Sequence, residues 1–256
     1  MNAKYVILSV ALFLNSCHVT PGTSETMRHY VFILDGTASI VPASFDQAMH
    51  AIEMQGAQLH RGDCISVVPI VGDSDAVASG QIVRKCVPTE RQPYDQELTD
   101  FQIDLHQMLA AQSRQLTQNR AAKTDILGTI QIAEQEFALD GPSVQRNLLI
   151  FSDFIEEDGA RNFVTLLDLS TPELAERLAR TIAVDPAPGC SKPLVDWSRI
   201  HVFLGSLQST ETPKLQERRR ESIRRFWIAY FTALHTQPFY AADGPGMSST
   251  FLARQQ

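Results

Sequence analysis

The chain has 256 residues, 44% of them hydrophobic and 20% charged, a balance that excludes disordered and fibrous classes. Its formal net charge of -7 argues against a protein that tracks nucleic acid by electrostatics, so no nucleic-acid partner is expected. Less its first segment, the length suits one α/β domain.

In chain order, Lys4 and the apolar run from Tyr5 to Leu14 have the make-up of a signal peptide, far shorter than a membrane span. The run ends in Leu14-Asn15-Ser16-Cys17, which resembles a bacterial lipoprotein signal, with Cys17 lipidated as the mature N-terminus. Asn15 is a less usual residue at its place, so cleavage nearby by an ordinary signal peptidase stays open. Either route exports the chain to the cell envelope, as a periplasmic protein or one held to the membrane by its N-terminal lipid. Residues 18–28 read as a polar tether and residues 29–256 as a single domain.

From Tyr30 onward strands and helices alternate. Val31-Phe32-Ile33-Leu34 is an apolar run suited to a strand covered on both faces. Helical spacing follows from Ser44 to Arg61, through Phe45, Ala48, Met49, Ile52 and Leu59. Cys64–Ile70 and Gln81–Val87 read as the two arms of a hairpin across Gly72-Asp-Ser-Asp75. A second helix is predicted through Leu98, Phe101, Leu105, Leu109 and Leu116, and a third from Thr124 to Phe137, before Gly141-Pro142. Asn147–Phe151 is a second fully apolar strand. Thr171-Pro172-Glu173 has the hydroxyl, proline and acid of a helix start. Arg199–Leu204 reads as a further strand, and Glu211–Leu234 as a long last helix. The Pro- and Gly-rich stretch from Asp185 to Asp196 reads as a surface loop. The expected fold is therefore a Rossmann-like, doubly wound α/β domain: a mostly parallel sheet, one antiparallel edge strand, and helices on both faces.

Export permits disulfides. Folding the hairpin symmetrically about position 75 sets Cys64 opposite Cys86, within reach of a disulfide, and leaves Cys190 as the odd thiol. Three free buried thiols are the alternative.

Chemistry concentrates where strands end. Asp35, Thr37 and Ser39 follow the first strand, Asp153 follows the second apolar strand, and Thr124 heads a helix. Open α/β sheets bind ligands at the carboxyl ends of their strands. Oxygen-only donors of this kind suit Mg²⁺, Mn²⁺ or Ca²⁺ rather than zinc. Turn and cap chemistry alone is the plain alternative.

Asp-x-Thr-x-Ser at 35–39, then Thr124, then Asp153 after a buried strand, resembles the metal-ion-dependent adhesion site of the von Willebrand factor type A domain. The resemblance covers roughly residues 29–235, with Thr37 standing where that family usually has Ser. It implies that Thr37 and Ser39 bind a divalent ion directly, Mg²⁺ first, and Thr124 directly or through water. Asp35 and Asp153 would act through water or hydrogen bonds, leaving the ion free to recruit an acidic residue of a protein partner. That is binding rather than catalysis. The alternative is a structural or assembly subunit of an envelope or secretion-type complex, binding without metal.

Leu34-Asp35-Gly36-Thr37 also looks like half of the Asp-x-Asp-Gly-Thr motif of haloacid-dehalogenase-type phosphatases, but the nucleophile's place holds Ile33, which cannot attack phosphorus. No Gly-rich phosphate loop or zinc helix is present, and no enzymatic activity is expected. Glu156-Glu157-Asp158 reads as a solvated loop, and Arg218–Arg220 with Arg224 and Arg225 as a solvated stripe paired with Glu217 and Glu221.

Overall fold

A computed structural model of the chain describes residues 26–72, 81–90, 96–158, 161–184 and 193–241. Six strands form one sheet: β1 (Arg28–Asp35), β2 (Cys64–Ile70), β3 (Val83–Cys86), β4 (Gln145–Ser152), β5 (Ile200–Ser206) and β6 (Phe239–Ala241). Their spatial order is β3-β2-β1-β4-β5-β6, with β3 alone antiparallel. Five helices connect them: α1 (Pro42–Gly56), α2 (Gln96–Gln118), α3 (Ile126–Ala138), α4 (Pro172–Val184) and α5 (Glu217–Ala233). This is the doubly wound α/β arrangement that the alternation of elements implies.

The pleat of β1 explains the two layers. Tyr30, Phe32 and Leu34 join a core with Phe45, Ile52, Phe101 and Leu105 of α1 and α2. Val31 and Ile33, pointing the other way, join Ile130 and Phe137 of α3, Ala175 of α4 and Phe226 and Trp227 of α5. Every one of these β1 side chains is at most 1% exposed, so the continuous apolar run is that of a central strand covered on both faces.

Several boundaries differ from the sequence reading. The first helix begins at Pro42, whose fixed φ suits a first turn, and stops at Gly56, well before Arg61. Gly56 lies so close to α2 that a Cβ there would stand 2.3 Å from Leu105 Cδ2. The third helix is capped by Asp125, whose side chain accepts from the Gly128 N–H, so Thr124 stands one residue outside it. The last helix starts at Glu217, because Thr212–Lys214 forms a separate 3-10 turn and Leu215 and Gln216 are extended. The short strand β6 has no counterpart in the sequence reading.

At the antiparallel edge Cys64 faces Cys86 in the β2–β3 register, and the two are joined by a disulfide. Residues 73–80 of the turn, Cys190, Cys17 and most of the 18–28 tether lie outside the described residues. Among the described residues no helix is long and apolar enough to cross a membrane.

Candidate metal centre at the switch point of the sheet

The chain passes from β1 to β2 on one side and later returns to place β4 on the other, so the order of the sheet reverses between β1 and β4. A crevice opens at the carboxyl ends of such a strand pair, which is where open α/β sheets place ligands. Leu34 pairs with Phe151 in register, and the next residues out are Asp35, Ser152 and Asp153.

Asp35 is fully buried. Its Oδ1 accepts from the Thr37 backbone N–H at 3.0 Å and the Thr37 hydroxyl at 2.6 Å, and its Oδ2 accepts from the Ser152 hydroxyl at 2.7 Å. Thr37 Oγ1 lies 3.2 Å from Ser39 Oγ. Thr37 is buried while Ser39 is half-buried, so the chain of oxygens runs from the sheet interior to the surface. A hydroxyl that donates its proton to a carboxylate keeps its lone pairs for a cation.

Asp153 is 9% exposed. Its Oδ1 accepts from the Ile155 N–H at 3.0 Å. Its Oδ2 is buried without a hydrogen bond of good geometry, although the Ser209 hydroxyl stands near enough to lower its pKa. Burial first, and then the nearby charge of Asp35, push the Asp153 carboxyl up to about 7. Burial likewise raises Asp35, against the pull of its hydrogen bonds from Ser152 and Thr37. Among the described residues neither acid has an ion-pair partner. Two buried carboxylates with no counter-charge, next to hydroxyls with spare lone pairs, fit a hard divalent cation.

Backbone hydrogen bonds gather the remaining loops here. Ala38 N–H donates to Ala121 O at 2.9 Å, tying the 35–41 turn to the segment before Thr124. Glu157 N–H donates to Thr124 O at 2.8 Å, tying Thr124 to the loop after β4. Thr210 N–H donates to Ser39 O, and Leu207 N–H to Ser152 O. Asp35, Thr37, Ser39, Thr124 and Asp153 thus belong to loops joined at one edge of the sheet. The sequence reading passed over Ser152 and Ser209, although hydroxyls at 206, 209, 210 and 212 mark the end of β5.

Glu156 corrects the expectation of a solvated acidic loop. It is fully buried, and its Oε2 accepts from the Ile126 N–H at 2.9 Å at the start of α3. A carboxylate at a helix N-terminus meets the unpaired N–H groups and the positive end of the dipole, which draws the side chain inward. Three of the arginines of α5 are paired as expected, Arg220 with Glu217 and Arg224 and Arg225 with Glu221, while Arg219 donates to the Leu166 carbonyl.

At the opposite edge of the sheet, His29 Nδ1 lies 2.9 Å from Asp140 Oδ2 and its Nε2 lies 2.9 Å from Ser66 Oγ. The order acid–imidazole–hydroxyl is that of a nucleophile relay. Ser66, however, is fully buried and its hydroxyl donates to Glu136 Oε2 at 2.8 Å, so the group serves to satisfy a polar core rather than to attack a substrate.

No protein-family model matches this sequence, and no curated protein matches it. Among solved structures, an aerotolerance-related membrane protein from Bacteroides fragilis is similar at 12% identity and a TM-score of 0.47, over 89% of this chain and 97% of that one. BatB from Bacteroides thetaiotaomicron is similar at 13% identity and 0.47, over 89% and 96%. The manganese-loaded TRAP protein of Plasmodium vivax gives 10% identity and 0.36, over 73% and 60%. These are distant likenesses, and none bears on individual residues of the site.

Proposed function

We propose that the chain is an exported, lipid-anchored binding domain of the von Willebrand factor A type. It holds a divalent cation, Mg²⁺ before Mn²⁺ or Ca²⁺, to bind a protein partner through an acidic residue. The observation that supports this reading is the pair of buried, uncompensated carboxylates, Asp35 and Asp153, at the switch point of the sheet. Thr37, Ser39 and Thr124 are the hydroxyl donors that would hold the ion. Asp35 orients the Thr37 hydroxyl by accepting its proton, and Asp153 supplies negative charge from the adjoining loop. The bound cation would supply an electrophilic position for a partner's carboxylate. Ser39, the half-buried member, marks the side from which that carboxylate would approach.

Calorimetric titration of the purified full chain with Mg²⁺ and Mn²⁺ tests the site. Thr37→Ala and Asp153→Ala are expected to weaken binding at least tenfold, and an unchanged affinity in Asp153→Ala would sink the assignment. Capture of envelope proteins with and without EDTA tests the role: metal-dependent capture supports it, while capture that ignores EDTA favours the assembly-subunit alternative.

A further inference from the structure

A second group of acids flanks this site at the start of α3. Asp125, Glu156 and Asp158 each place one carboxylate oxygen within 4.8 Å of the other two. Asp125 and Glu156 are buried and Asp158 is half-buried. Part of their charge has an evident use. Asp125 Oδ1 accepts from the Gly128 N–H at 2.8 Å, and Glu156 Oε2 accepts from the Ile126 N–H. Asp158 is gripped by Arg161, whose Nε and Nη2 stand 3.0 and 2.8 Å from Asp158 Oδ2.

One oxygen is left over. Glu156 Oε1 is buried and has no hydrogen-bond partner, on a side chain that is itself fully buried. Buried polar atoms in folded proteins are satisfied almost without exception, so an orphaned oxygen on a carboxylate that belongs to a group of three acids points to a further ligand. Among three acids gathered this closely, a cation is the ligand whose charge suits the oxygens.

We propose that Asp125, Glu156 and Asp158 bind a second divalent cation, of the Ca²⁺ type. Three carboxylates on two loops make an oxygen-rich, adaptable donor set, which suits Ca²⁺ better than the strict octahedral demand of Mg²⁺. The ion would clamp the loop after β4 onto the start of α3, where the Glu157 N–H already donates to Thr124 O. Asp153 and Thr124, which flank the two halves of that clamp, would be held in place by it. The proposal stands independently of any ion at Asp35, since the two donor sets share no residue.

The test uses the full chain, stripped with a chelator and titrated with CaCl₂ by calorimetry and thermal melting. The wild type and Ser39→Ala are both expected to bind Ca²⁺ at this site, with melting raised by roughly 5–10 °C at a hundredfold excess over Kd. Asp158→Asn, which keeps the shape and the acceptor for Arg161, and Glu156→Gln, which keeps the shape and the cap, are each expected to lose at least tenfold in affinity. The proposal fails if both variants bind with wild-type stoichiometry and affinity. It also fails if Ser39→Ala alone abolishes binding, which would put the only cation at the switch point. A wild type deaf to Ca²⁺ also overturns the proposal, and a Glu156→Gln variant that then melts higher would identify a proton as the missing ligand.

Discussion

The sharpest test of the switch-point site is to replace Asp153 by Asn and follow stability against pH in a chelator. In the folded chain the Asp153 carboxyl titrates at about 7, against an ordinary value of 3.8. Between those values the folded state carries a proton that the unfolded state has released. Stability of the metal-free protein therefore falls as pH rises through this window. For a folded value near 7, moving from about pH 6 to about pH 8 removes about 1 kcal/mol of stability through this one group. Asp35 and Glu156 are raised as well and add to the same slope in both proteins. Asparagine keeps the shape and deletes the charge, so Asp153→Asn should lose about that part of the slope and be no less stable than wild type at pH 8. Urea denaturation in EDTA at the two pH values measures both effects. Added Mg²⁺ or Mn²⁺ should stabilise the wild type more at pH 8 than at pH 6, and should leave the variant nearly unmoved. A variant that keeps the wild-type slope and the wild-type response to the cation would refute the argument.

Two further perturbations address the scaffold. The Cys64–Cys86 link closes a loop with a sequence separation of 22, so Cys64→Ala/Cys86→Ala should cost about 3 kcal/mol and lower melting by roughly 10 °C. Unchanged melting under reducing and oxidising conditions would show that the link contributes nothing. Gly205 sits in β5 opposite Phe151, and a Cβ there would lie 2.6 Å from Phe151 Cδ1 and 3.1 Å from Phe203 Cε1. Gly205→Ala should cost about 1–3 kcal/mol by overpacking, read by urea denaturation, and a cost near zero would mean that the aromatic layer yields easily.

Local pattern carried most of the fold. β1 and β4 announce themselves as unbroken apolar runs because they are central strands, and the Cys64–Cys86 register follows from folding the hairpin about its middle. β6 was not legible, since Phe239–Ala241 is too short for periodicity and is a strand only by pairing with Phe203–Gly205. The start of α5 was misplaced because apolar spacing continues through Leu215, whereas Pro213 sits in a turn of its own. At the site, the residues that end β1 and β4 could be read from their strands. Ser152 and Ser209 could not, because a lone serine at a strand end has no distinctive pattern. Glu156 was misread for a related reason: three adjacent acids look solvated until the N-terminus of α3 is known to lie beside them.

The loop after β4 turns through Phe154, a non-glycine residue at φ 63°, and the carbonyl of Phe154 accepts the Trp227 indole N–H at 2.9 Å. Only one other tryptophan exists in the chain, Trp197, and its indole N–H is committed to Glu134. The protein therefore carries an optical gauge one residue away from Asp153. With Trp197 replaced by Phe, the emission of Trp227 becomes a label-free signal from the loop that carries Asp153, on which the proposed cation and partner binding can be timed.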